Sequence, residues 1–212
     1  MIQTPIPLLS SAYLPPVEYV AALFHSPVAY IEVQDHYVKQ TYRNRCVIAT
    51  DSGAQALTIP IEKYEGNKCK MMDIEISEHG NWRHVHRQAF LSAYKQSPFF
   101  EYYADEFFSF FTSGEKHLAT FNMELLHWVC KQIDLEVDIR TTNTYLKTEE
   151  LPTGWVDLRE AFHPKRMSAI SFYPYYQVFR DRCGFLPNMS IADLLFCMGP
   201  ESLLVLREQS LR

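Results

Sequence analysis

Short apolar runs separated by Pro, Gly and polar turns fill the first third of this chain, and three helix-patterned stretches then follow one another. Strands first and helices after, with no regular strand–helix–strand alternation, predict an α+β fold with a mixed sheet in the N-terminal part followed by a helical half, rather than a doubly wound sheet. Ile6 to Ala12 reads as a strand that Pro15-Pro16 cannot continue, and a helix is expected over Val17 to His25. Val28 to Val33 is a second strand, and Arg45 to Thr50 with Ala56 to Glu62 form a hairpin around Asp51-Ser52-Gly53. After a polar loop through Asn67, Met72 to Ile76 alternates as a strand.

Asn81 is placed to cap a helix carrying Trp82, Val85, His86, Ala89 and Ala93 on one face, which turns His86 towards the packed side. Ser97-Pro98 supplies a cap and first-turn pair for a helix reaching Phe111. Beyond Gly114, Leu118, Asn122, Leu125, Val129 and Ile133 share a helical stripe. Val137 to Thr141 is expected to be a strand, and Lys147 to Tyr176 mixes Pro, Gly and aromatics without a period. Ser190 with Asp193 starts a helix, Ile191 to Met198, that Gly199-Pro200 ends. No internal repeat or linker divides the chain, so residues 1–212 read as one domain.

Composition narrows the function classes. With 47% apolar and 21% charged residues among 212, the chain can bury a real core. Its 14 Phe and 13 Tyr against 7 Gly make that core aromatic and leave Tyr hydroxyls for a cleft. A net charge of −5 with no block of like charges argues against nucleic acid as a partner. There is no basic, apolar, small-residue leader and no run of membrane-helix length, so no membrane span and a cytoplasmic location are expected. The five Cys, at 46, 69, 130, 183 and 197, are odd in number and contain no Cys-x-x-Cys, which points to reduced thiols and no metal site. Asn188-Met189-Ser190 fits a glycosylation sequon, but without export Ser190 reads better as a helix cap. Gly-rich phosphate loops and a Gly-x-Ser-x-Gly elbow are both missing, so neither a nucleotide cofactor nor a covalent serine mechanism is expected.

The densest polar segment is KQTYRNRC, Lys39 to Cys46. Read as the entry to a strand, it points Lys39, Arg43 and Arg45 to one face, where Arg forks can grip a pyrophosphate or carboxylate, with Tyr42 and Asn44 interleaved. The plain alternative is a solvated strand edge guarded by cations. His84 and His86 cannot share a metal, because helical neighbours two apart point about 200° from one another. His86 is either a hydrogen-bonded core histidine or a general base at a cleft. Glu18, Glu32, Asp35 and Asp193 supply acid or base chemistry only if packing brings them together. The segments Glu101 to Tyr103 and Tyr173 to Phe179 either stack on a sugar or lie in the core.

Taken in order, AYLPPVEYV (Ala12 to Val20), KQTYRNRC, LTIPIE (Leu57 to Glu62), NWRHVHRQAFLSAYKQSPFF (Asn81 to Phe100), YYQVF and FLPNMSIADLLFCMG (Phe185 to Gly199) resemble the WbqC-like family, over Leu8 to about Leu204. Ser10 and Ser11 stand where the family commonly has Gln-Pro, Asp35 aligns only loosely with its acidic residue, and Glu149 to Tyr173 is shortened. The resemblance implies a transferase acting on amino-sugar or nucleotide-sugar substrates in surface-polysaccharide biosynthesis, by acyl or aminoacyl transfer. The candidate site on the matching segments has His86 and Asp35 as catalytic groups. Its substrate contacts are Tyr13, Tyr19, Lys39, Tyr42, Arg43, Asn44, Arg45, Tyr94, Tyr176, Gln177 and Asp193. The expected partner is a small sugar or nucleotide-sugar, and the many aromatic residues leave room for a homodimer. The rival reading is a non-catalytic protein that binds a carbohydrate or another protein, and a glycosidase ranks third.

Overall fold

The computed structural model describes residues 4–66, 68–166, 168 and 170–209, and Asn67 of the expected polar loop lies outside them. Strands β1 (Ile6–Ser10), β2 (Val28–Glu32), β5 (Asp138–Thr141) and β6 (Trp155–Asp157) form an all-parallel sheet in the order β5-β2-β1-β6. The strands β3 (Arg45–Thr50) and β4 (Gly53–Thr58) pair separately as an antiparallel hairpin. The α+β class holds, with N-terminal strands followed by helices, but the two strand directions are segregated into two sheets.

Chain stiffness explains the parallel sheet. Pro15-Pro16 ends the extended run and opens helix α1 (Val17–Phe24), whose crossover returns the chain so that Leu8 pairs with Tyr30 in parallel register. This is a single βαβ unit within a chain that has no regular alternation. Leu8 and Leu9 point to opposite faces of β1 and are both fully buried, as expected of a parallel strand covered on both sides. β5 extends the sheet beside β2 (Ala29 with Ile139), and β6 flanks β1 on its other side (Ile6 with Trp155). The aperiodic stretch before Tyr176 therefore contains a strand, only three residues long and too short for its pattern to register.

The helical half follows as α2 (Trp82–Tyr94), α3 (Phe100–Ser109), α4 (Leu118–Gln132), α5 (Arg180–Cys183), α6 (Ile191–Met198) and α7 (Ser202–Glu208). Seven of the eight residues of α6 are buried, because α1, α2, α3, α4 and α7 pack around it. Phe196 of α6 meets Phe90, Phe100 and Phe107 with ring centroids 5.1 to 6.5 Å apart and steeply inclined planes, the arrangement that ring quadrupoles favour. Ser190 caps α6 by accepting from the Ala192 N–H, donates to the Leu14 carbonyl, and offers its own N–H to Val47 of β3. One residue thus ties α6 to the hairpin and to Leu14, which is held at φ 40 just before Pro15.

Several local expectations are corrected. Met72 to Ile76 is not a strand: Met71–Asp73 is one 3₁₀ turn, with isolated bridges from Glu75 and Ile76. Asn81 sits in the left-handed region and makes no side-chain cap. Ser97 bonds back to the Tyr94 carbonyl instead of capping α3. β4 begins at Gly53, directly after a two-residue turn, and has ended by Thr58. Lys39 to Asn44 is a series of turns, with Gln40 at φ 62, so these side chains do not alternate as on a strand.

Gly199 ends α6 at φ 52, and a Cβ there would lie 2.5 Å from the Phe99 ring. Gly199→Ala is expected to lower stability by about 2–4 kcal/mol through combined strain and overpacking, read as a lower urea midpoint with an unchanged slope.

Candidate functional site

Parallel pairing brings the C-terminal ends of all four strands to one edge: Ser10, Glu32, Thr141 and Asp157. β1 has β2 on one side and β6 on the other, and in open parallel sheets the crevice outside such strand ends is where ligands bind. A cavity of about 550 Å³ opens here, lined by Asp35, His36, Val38, Arg43, Tyr145, Thr148, Asp157, Arg159, Glu160 and Ala161.

Glu32 is fully buried at this edge and fully engaged. Its Oε1 accepts from Thr142 Oγ1 at 2.6 Å and the Gln34 N–H at 2.9 Å, while Oε2 accepts from the Leu146 N–H and Arg159 Nη1. Arg159 also grips Asp157 with two prongs, Nε to Oδ1 at 2.9 Å and Nη2 to Oδ2 at 2.6 Å, and donates to the Leu146 carbonyl. Those Arg159 bonds hold the Asp157 carboxyl down at about 2. Tyr145, half exposed, has the guanidinium carbon of Arg159 5.1 Å from its ring centroid and presents a flat aromatic surface to the cavity.

Arg43 completes the wall. Its Nη2 donates to Asp35 Oδ2 at 2.5 Å and to Ser10 Oγ at 2.9 Å, and the Ser10 hydroxyl in turn donates to the Arg159 carbonyl. Asn122 of α4 fixes this segment by donating to the Arg43 carbonyl and to Ser11 Oγ. Asp35 Oδ1 is buried and has no partner among the described residues. Burial pushes the Asp35 carboxyl above its ordinary range, against the opposing pull of Arg43. The result is a carboxylate of a cavity-lining residue with one oxygen anchored and the other buried without a partner among the described residues.

The other site residues expected from sequence scatter. Lys39 is exposed on the turn, Arg45 lies along the hairpin with Nε on Thr58 Oγ1, and Asn44 is buried with its amide on the Ile59 carbonyl. Three cations on one face is therefore corrected: the turns at 39–44 send Lys39, Arg43 and Arg45 apart, and Arg43 alone reaches the cavity. Tyr19 supports the site from below through its hydroxyl on the Ser10 carbonyl, and Tyr42 lines a narrow crevice beside Arg43. Tyr94, Gln177 and Asp193 belong to a second, fully buried cluster, in which Asp193 Oδ2 accepts from Tyr175 at 2.5 Å and Gln177 at 2.8 Å, and Tyr94 accepts from the Ala49 N–H. Tyr176, next to these, points to solvent.

His86 sits in the aromatic core rather than at the cavity, between Trp82, Phe111 and Tyr13. The Tyr13 hydroxyl is 2.9 Å from its Nδ1, and the Thr58 carbonyl is the group that favours a proton on the ring. Burial lowers its value to about 4, so it is neutral near pH 7. Sequence reasoning did not single out Ser10, Thr142, Tyr145, Asp157, Arg159 or Glu160. The one local signal was Asp157-x-Arg159, and it lay in the stretch whose strand was too short to see.

A buried histidine held neutral contributes stability that is complete above its ordinary value of 6.5 and is lost as pH falls through about 4. The urea midpoint should therefore fall between about pH 7 and about pH 5 by more in the wild type than in His86→Gln, which has no imidazole to charge. Equal slopes in both would place the linkage elsewhere.

A model of the WbqC-like protein family matches residues 10–171, which include Ser10 at the end of β1, the Asp35–Arg43 pair and Arg159. The uncharacterized protein Rv1507c of Mycobacterium tuberculosis (strain ATCC 25618 / H37Rv) is 24% identical over 223 residues, covering 93% of this chain and 95% of the relative. No solved structure matches. The family match spans most of the chain and includes most of the strand-end cluster. This chain belongs to the WbqC-like protein family.

Proposed function

We propose that this protein is a transferase for amino-sugar or nucleotide-sugar substrates in surface-polysaccharide biosynthesis, with the acceptor bound at the C-terminal edge of the parallel sheet. The observation that carries the reading is Asp35: a buried residue of the cavity lining, anchored through Oδ2 by Arg43, with Oδ1 left without a partner among the described residues. A carboxylate raised by burial is a competent general base for an amine or hydroxyl. Asp35 takes the proton as the acceptor nitrogen bonds the carbonyl carbon of an acyl or aminoacyl donor, and the donor's leaving group departs with the electrons of the broken bond.

Charge supports an amine-bearing acceptor rather than a diphosphate held by free cations. Arg43 and Arg159 already face Asp35, Asp157 and Glu32, and the Glu160 carboxylate lies 3.9 Å from Arg43. An ammonium or a cluster of hydroxyls complements that set, and Tyr145 offers a ring for the apolar face of a sugar. The same exposed ring favours a second reading, a carbohydrate-binding protein without turnover, which keeps the ligand and drops the chemistry.

Thermal-shift measurements with free amino sugars and nucleotide-linked amino sugars test the proposal. The wild type should be stabilised, Asp35→Asn should lose at least about tenfold in affinity, and Lys39→Ala should keep it. With a competent donor, turnover by Asp35→Asn should fall by roughly 10²–10⁴. Binding that survives Asp35→Asn unchanged would remove Asp35 from the site, and sugar binding without transfer from any acyl donor would favour the second reading.

A further inference from the structure

We infer that β4 is an interface strand through which two copies of this chain pair antiparallel, joining their hairpins into one four-stranded sheet. The argument starts at the turn. Asp51-Ser52 is a two-residue connection, so Thr50 and Gly53 form a hydrogen-bonded closing pair and the ladder alternates from there. Ile48 with Gln55 and Cys46 with Leu57 are the bonded pairs, while Ala54, Ala56 and Thr58 turn their backbone groups outward along β4.

The outward groups of β3 obey this alternation and are met: the Ala49 N–H donates to the Tyr94 hydroxyl, and the Val47 carbonyl accepts from the Ser190 N–H. On β4 the Thr58 carbonyl faces His86, but the N–H and C=O of Ala54 and Ala56 have no partner among the described residues. Ala54, Gln55 and Ala56 are exposed in succession, so neither face of β4 is covered along this stretch. Beside them lies a cleft of about 890 Å³, bounded on the helix side by Gln88, Ser92 and Gln96 of α2. Edge strands left in water usually carry a charge, a Pro or a bulge, and GAQALT has none.

Charge and symmetry select a second copy as the occupant. A two-fold axis through Gln55 sets Ala54 of one copy opposite Ala56 of the other, so each open donor meets an open acceptor. The same axis exchanges the two ends of the hairpin, where Asp51 stands at the turn, 3.5 Å from Arg182 of its own copy, and Arg45 at the mouth, its Nε on Thr58 Oγ1. Each copy's Asp51 is thereby brought towards the other's Arg45.

Sedimentation of the full chain over a wide concentration series tests this. A dimer that dissociates on dilution is expected. Ala56→Pro, which deletes an outward N–H and leaves the ladder to β3 complete, should weaken it at least about tenfold. Asp51→Arg should weaken it by a similar factor, and adding Arg45→Asp should restore it, a rescue that decides the matter even if the Pro variant folds poorly. A monomer at every concentration, a dimer indifferent to Ala56→Pro in a folded variant, or no rescue by the double reversal would overturn the inference, and an edge open to an extended peptide of another protein would take its place.

Discussion

Burial of Glu32 at the end of β2 organises the strand-end edge. A carboxylate wholly removed from water costs several kcal/mol unless it is paired and every lone pair is satisfied. Satisfying it draws in Thr142 from the end of β5, Leu146 from the following loop, and Arg159 from beyond β6. The ion network is thus coupled to the strand order, since β5 and β6 carry its partners to opposite sides of β1 and β2. Glu32 is thereby a specificity device for the sheet, whatever its net contribution to stability.

A similar rule governs the interior of the helical half. Asp193 is buried within the most enclosed helix, and burial raises its carboxyl while Tyr175, Gln177 and Tyr94 oppose that shift. Gln177 also bonds both backbone groups of Leu186, which fastens the segment preceding α6 against it. Two fully buried acids, Glu32 and Asp193, therefore stand one in each half, and both recruit groups distant in sequence. The aromatic packing around Phe196 supplies the nonspecific driving force, and the acids restrict how it is arranged.

The candidate site inherits its character from the first network. Because the Arg side chains answer carboxylates, the cavity lacks the spare positive charge that a phosphate clamp requires. What its lining holds is the Asp35 carboxylate, with one oxygen unpartnered among the described residues, and a ring at Tyr145. These groups suit a ligand rich in hydrogen-bond donors.

Local patterns in the sequence determined much of the secondary structure. Proline stiffness set the start of α1, helical stripes set α2 and α4, and the Ser190 cap set α6, because each depends on residues within a turn or two of one another. The inward aim of His86 followed from the same periodicity. β6, at three residues, could be recognised only by its pairing with β1. The turns at 39–44 obeyed no periodic signal, and with them went the expected convergence of Lys39, Arg43 and Arg45. Tertiary structure alone decided that Asp35 would share a cavity with Arg159 while His86 would not, because desolvation and ion pairing depend on which chain segments meet in space.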